Sequence, residues 1–212
     1  MNNRLNFNTK FGKVFFVSDL HICHAKDFLL NPRGYKTADE AKEHIIQEWN
    51  KVVGHDDVVF NLGDLVVGAG NNSVFEAKEI IRRLNCKNHY FIDGNHMAGT
   101  KQIYRDELKN QYGLDSNQVE LHPLAWEKFV FLGNYAEIVV DRQLICLSHY
   151  AISGWNEMKT SLMLHGHEHC GVPDNPTLRR IDVGWDLMRR PIEFNEIKRL
   201  MEKKVPKSVG HH

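Results

Sequence analysis

Five times along this chain an apolar run stops at a short polar fragment, and these stops constrain the fold more than any other feature. VFFVS leads to Asp19-Leu20-His21, VVFNL to Gly63-Asp64, and HYFID to Gly94-Asn95-His96. LICL leads to Ser148-His149, and SLML to Gly166-His167-Glu168-His169. Apolar runs this short, bounded by turn residues, read as buried strands. In open α/β sheets, sites assemble at the carboxyl ends of the strands. Two aspartates, an asparagine and several histidines gathered there describe a cage for two divalent cations.

Composition removes several alternatives. With 212 residues, the chain suits one substantial core, and no repeat or linker divides it. A single domain over residues 1–209 is expected, with Gly210-His211-His212 set aside as a possible tag remnant. Lys and Arg number 27 against 27 Asp and Glu, so no global field recruits a long nucleic acid. Cys23, Cys86, Cys146 and Cys170 show no C-x-x-C spacing and fit reduced thiols in a cytoplasmic protein. No run approaches membrane-spanning length, so no membrane partner is expected.

Strands are expected over 13–18, 57–62 and 88–93, with helices over 38–52, 73–84 and around 100–110. Ala41, Ile45, Trp49 and Val52 give the first helix its apolar face, and Ser73 with Glu76 would cap the second. Residues 20–37 show no periodicity and read as a long loop containing turn chemistry at Asn31-Pro32-Arg33-Gly34. After Gln118 short strands follow one another, at 119–122, 128–133, 135–140, 143–148, 161–165 and 178–183, before a helix at 193–204. Strand–helix alternation followed by a strand-rich half suggests two sheets packed face to face with helices outside.

The ordered set D-x-H, G-D, G-N-H, a lone H and G-H-x-H resembles the calcineurin-like metallophosphoesterases and spans residues 19–169. The opening Asp19-Leu20-His21-Ile22-Cys23-His24, with Trp49-Asn50, is similar to a small bacterial and phage branch of that family. The resemblance implies an α/β fold, a four-layer αββα sandwich of two mixed β-sheets flanked by helices. It also implies two divalent metal ions, with Mn²⁺ expected and Fe, Zn or Ni as alternatives. Asp64 would bridge the ions. Asp19, His21 and His169 would complete one shell, and Asn95, His149 and His167 the other. A hydroxide held between the ions would attack phosphorus, and the cluster would keep about one positive charge, which suits an anionic phosphate.

Taken singly, these residues have ordinary explanations. Asp19 or Asp64 alone reads as a cap or turn residue, His149 as a packed histidine, and Asn95 as a turn residue. His167 and His169 stand two apart, which puts both side chains on one face if the strand continues. By resemblance His96 is the general acid that protonates the leaving group. Relatives often carry carboxylates that orient this histidine, where this chain has Val67 and Met97. Asp93 is near in sequence but could point elsewhere.

Around the site, His24 and Arg33 are candidates to reach the substrate phosphate, with Lys26 beside them; the alternative for each is a loop residue bonded to backbone. Tyr150, Trp155 and Asn156 could wall the pocket, with core packing the alternative for Trp155. Glu168 is expected to point away from the metals. The expected function is hydrolysis of phosphate esters, leaning to phosphodiesters, on a small phosphorylated substrate such as a nucleotide or short oligonucleotide. Two rivals remain: a phosphomonoesterase, and a non-catalytic metal-binding scaffold of the same fold.

Overall fold

The apolar runs become strands of two separate five-stranded sheets. A computed structural model describes residues 4–67, 71–86, 88–102, 105 and 130–205, without the side chains of 71–74 and 77. In chain order the strands are β1 (Leu5–Phe7), β2 (Val14–Val17), β3 (Val58–Asn61), β4 (Asn88–Phe91) and β5 (Val130–Phe131). Then come β6 (Tyr135–Val140), β7 (Gln143–Ser148), β8 (Leu162–His165), β9 (Arg180–Asp182) and β10 (Ile192–Glu193).

One sheet runs β10-β2-β3-β4-β5, with β2 to β5 parallel and β10 antiparallel at its edge. The other runs β1-β6-β7-β8-β9, mixed because β6 and β7 pair antiparallel while the remaining pairs are parallel. Side-chain alternation in β2 shows why the run carries no polar residue. Val14 and Phe16 enter a core shared with Phe60, Leu62 and Ile92 and with Ile138, Ile145, Leu147 and Leu164 of the other sheet. Phe15 and Val17 point the opposite way, into a second core with Ile45, Trp49 and Ile80. A strand covered on both faces has no solvent side on which a polar residue would be favoured.

Helix α1 (Asp27–Arg33) lies in the segment expected to be a loop, which is corrected here. The Asn31-Pro32-Arg33-Gly34 signal is a helix stop: Gly34 holds φ 78° and its N–H returns to the Asn31 and Leu30 carbonyls. Helix α2 (Ala38–Val52) matches its expected span. Thr37 caps it by accepting from the Glu40 N–H at 3.1 Å, and Ala41, Ile45, Ile46 and Trp49 form its buried face. Helix α3 (Asn71–Arg83) follows, then a helical segment 98–102, α4 (Trp185–Met188) and α5 (Phe194–Glu202). Strands β1 and β10 and helix α4 are too short for a periodicity argument and were not anticipated. The Ser73 side chain, the 68–70 turn, the 119–122 strand and most of the 100–110 helix lie outside the described residues. Among the described residues no helix is long and apolar enough to cross a membrane.

Candidate metal centre

The five fragments meet at one seam, where the carboxyl ends of β2, β3 and β4 face those of β7 and β8. Asp19, Asp64, His149 and His21 are buried there, while Asn95, His96 and His169 are exposed toward the mouth. Sharp turns direct the side chains inward. Asp19, His21, Asp64, His167 and His169 hold positive φ of 58°, 49°, 54°, 72° and 44°. Left-handed backbone is unfavourable for residues other than glycine, and such strain clusters where function requires a geometry.

The donor atoms fall into two groups. Asp19, His21 and His169 offer ligand atoms within 4.8 Å of one another, and so do Asp19, Asp64 and His149. Nε2 of His21 lies 3.2 Å from Nε2 of His169 and 3.6 Å from Oδ1 of Asp19. On the other side, Oδ1 of Asn95 lies 3.0 Å from Nε2 of His149 and 3.1 Å from Nδ1 of His167. Asp64 stands between the groups, with Oδ2 3.7 Å from Nε2 of His21 and 3.6 Å from Nε2 of His149. Ligands about 2.1 Å from one ion are themselves about 3–3.5 Å apart, so these spacings suit atoms arranged around cations.

The residues fit divalent ions on two further grounds. Oδ1 of Asp19 is buried with no hydrogen-bond partner, a costly state for a carboxylate oxygen that an adjacent cation would relieve. His149 donates from Nδ1 to the Leu62 carbonyl at 2.8 Å, which leaves the Nε2 lone pair facing Asn95 and Asp64. His21 is held below its ordinary pKa, because burial outweighs the opposing effect of the Asp19 carboxylate beside it. Burial acts against the charge of Asp19 too, yet contacts with His21, His149 and the His167 N–H hold its carboxyl below the usual range. Neutral imidazole and ionised carboxylate are the ligand forms that cations require.

Two glycines make room for the carboxylates. A Cβ on Gly94 would lie 2.1 Å from Oδ1 of Asp64, and one on Gly166 2.1 Å from Oδ2 of Asp19. Met97, next to His96 in the chain, supports Asp64: its Sδ accepts from the Asp64 N–H at 3.1 Å. His96 donates its backbone N–H to Oδ1 of Asp64 at 2.8 Å, and its ring lies 5.5 Å from that of His21. Asp93 does point elsewhere, pairing with Lys101 at 2.7 Å.

Several expectations are corrected. Arg33 does not face the mouth. Its side chain is 1% exposed, its Nε and Nη2 donate to Asp186 at 2.8 Å each, and Nη1 and Nη2 also reach the Leu20 and Asp19 carbonyls. A guanidinium buried and engaged in this way is not presented to a phosphate at the mouth. His167 and His169 do not share a strand face either, since β8 ends at His165 and each turns into a different group. Trp155 packs on Cys146 and Met163, and Asn156 bonds Glu137, so neither walls the site. Tyr150 does, with its ring 4.7 Å from that of His167. His24 lies beside His21, ring to ring 5.7 Å, and burial with the nearby charges of His21, His96 and Arg33 keeps its pKa low.

Asp186 was not anticipated. Its Oδ2 accepts from Nδ1 of His169 at 2.7 Å, which raises the His169 pKa. Burial opposes the Asp186 charge, but the bonds from His169 and Arg33 outweigh it and hold its carboxyl far below the usual range. Nothing in the spacing of Trp185-Asp186-Leu187 marks that role.

A family model described as calcineurin-like phosphoesterase matches residues 12–171. The chain is 26% identical over 207 residues to an uncharacterized protein of Methanocaldococcus jannaschii, covering 93% of this chain and 97% of that protein. It is 27% identical over 210 residues to the gene 66 protein of Mycobacterium phage D29, covering 90% and 96%. Among solved structures, a protein of unknown function from Aquifex aeolicus shares the fold with a TM-score of 0.57, at 20% identity over 89% of this chain and 99% of that one.

Proposed function

This chain belongs to the calcineurin-like phosphoesterase family, and from that premise we propose that it hydrolyses phosphodiesters with two divalent ions. The observation that carries the binuclear reading is the position of Asp64, whose Oδ2 is nearly equidistant from His21 and His149 at 3.7 and 3.6 Å. Asp19, His21 and His169 would hold the first ion, Asn95, His149 and His167 would hold the second, and Asp64 would contribute to both. Mn²⁺ is the expected ion. When bound, such a pair withdraws charge from the phosphoryl oxygens and lowers the pKa of water enough to supply the nucleophile at neutral pH.

The chain's own residues supply the remainder. The Leu62 carbonyl fixes the His149 tautomer, and Gly94 and Gly166 let two carboxylates approach without steric obstruction. His96 stands at the exposed mouth as the proton donor to the leaving oxygen, with its backbone tied to Asp64. His24 and Tyr150 border the space that the substrate enters.

The lean to diesters has one specific support. A monoester carries an extra negative charge that favours additional cationic groups, and Arg33, the arginine nearest in sequence to the first fragment, faces inward. A small nucleotide or short oligonucleotide in the cytoplasm is the expected substrate setting, and free thiols at Cys23, Cys86, Cys146 and Cys170 suit it. The test is a panel of nitrophenyl monoesters and diesters, cyclic nucleotides and short oligonucleotides with added Mn²⁺. Diesters should be hydrolysed fastest. Faster monoester hydrolysis would make the protein a phosphomonoesterase, and two bound ions without turnover would make it a scaffold.

A further inference from the structure

Arg33 and Asp186 lie behind the first ion's ligands, on elements that carry none of them. One guanidinium makes both kinds of contact at once. Its Nε and Nη2 grip both oxygens of Asp186 at 2.8 Å, and Asp186 in turn accepts from Nδ1 of His169 at 2.7 Å. Its Nη1 reaches the Leu20 carbonyl at 2.8 Å and its Nη2 the Asp19 carbonyl at 2.7 Å. These carbonyls belong to the left-handed turn that aims Asp19 and His21. Arg189 bonds the Arg33 and Pro32 carbonyls, tying the end of α1 to the same place.

The second group has no counterpart among the described residues. There, His149 rests on the neutral Leu62 carbonyl. An anionic acceptor behind a ligand imidazole fixes the proton on the far nitrogen and makes the near one a stronger donor to a metal. The paired arginine fork keeps that carboxylate in one orientation and away from the ion.

Resting on the binuclear reading above, we propose that Asp186 and Arg33 are positioning residues for the first ion alone, which makes the first site the tighter of two unequal sites. Removing either residue should weaken one ion and leave the other unchanged.

The experiment is calorimetric and spectroscopic titration of the metal-stripped full chain with Co²⁺, for wild type, Asp186→Asn, Arg33→Lys, His21→Ala and His149→Ala. Wild type should bind two ions with distinct affinities. Asp186→Asn and Arg33→Lys should lose on the order of 10- to 100-fold in the tighter step only. At one equivalent, their visible spectra should match His21→Ala and differ from His149→Ala. Equal weakening of both steps, or no change in either, would overturn the proposal. A wild type that binds fewer than two ions would overturn the binuclear reading itself. Should a variant fail to fold, ¹⁵N imidazole NMR of the wild-type protein loaded with Zn²⁺ decides. The His169 proton is expected on Nδ1, and a proton on Nε2 would overturn the proposal.

Discussion

The backbone N–H of His167 donates to Oδ2 of Asp19 at 2.8 Å, which joins a turn after β8 in one sheet to a turn after β2 in the other. That bond orients the carboxylate so that Oδ1 faces His21 and His169 without a hydrogen-bond partner. The sheets are therefore locked together at the place where cations would bind. Metal binding and sheet docking should be coupled, and chelation should lower the unfolding temperature as well as activity.

Asp64→Asn should weaken both ions together, because Oδ2 of Asp64 lies 3.7 Å from Nε2 of His21 on one side and 3.6 Å from Nε2 of His149 on the other. His21→Ala and His149→Ala should each weaken mainly one. Metal counting on the three dialysed variants checks this, and identical losses in all three would contradict the assignment.

Gly94→Ala should cost about 10²-fold or more in activity, since the added methyl would sit 2.1 Å from Oδ1 of Asp64 and must displace the carboxylate. Gly154, where a Cβ meets nothing within 4 Å, is the control, and Gly154→Ala should leave the rate unchanged. Steady-state rates at saturating Mn²⁺ separate the two.

His96→Ala should keep both metals and lose little rate on bis-nitrophenyl phosphate, whose leaving group needs no proton. On an alkyl or nucleoside ester it should lose roughly 10²-fold or more. Rates across leaving groups of rising pKa, with metal content measured, provide the check. A uniform loss would make His96 a phosphate-positioning group, and loss of metal would place it in the cage.

Asp182 gives the metal-free protein a pH dependence of defined sign. Burial raises its pKa from 3.8 to about 6; the Gly184 N–H opposes the shift, and the negative charges of Asp19 and Glu168 add to it. Below about pH 4 the folded and unfolded chains both carry the proton. Between pH 4 and 6 only the folded chain retains it, so this group's contribution to stability falls as pH rises and then levels off. Asp182→Asn, which can still accept from the Gly184 N–H, should stabilise the metal-free protein at pH 7–8. Its advantage should vanish below pH 4. Thermal unfolding of both proteins from pH 4 to 8 with chelator measures the difference, and a gap that does not change with pH would contradict the account.

The parts of the fold legible in the sequence were those set by uninterrupted apolar runs or a regular apolar stripe. The runs at β2, β3, β7 and β8 announced strands because both faces of each are buried, and α2 announced itself by its apolar stripe and the Thr37 cap. What stayed hidden was short or set by tertiary contacts. Helix α1 is one example, since its Pro32-Arg33-Gly34 end reads locally as a turn. At the site, positions immediately after strands sufficed to name the residues that meet at the seam. The direction each side chain takes depends on positive φ at Asp19, His21, Asp64, His167 and His169, which strand periodicity cannot supply. Arg33, one candidate for a phosphate contact, is turned inward by long-range pairing with Asp186, which no local pattern shows.

Hydrolysis measured against the number of ions bound tests the central claim most directly. The metal-stripped chain should be inactive, and Mn²⁺ should restore activity in step with the binding of two ions per chain. A metal-stripped protein that hydrolyses a phosphodiester at the full rate would contradict the account, as would full activity with a single bound ion.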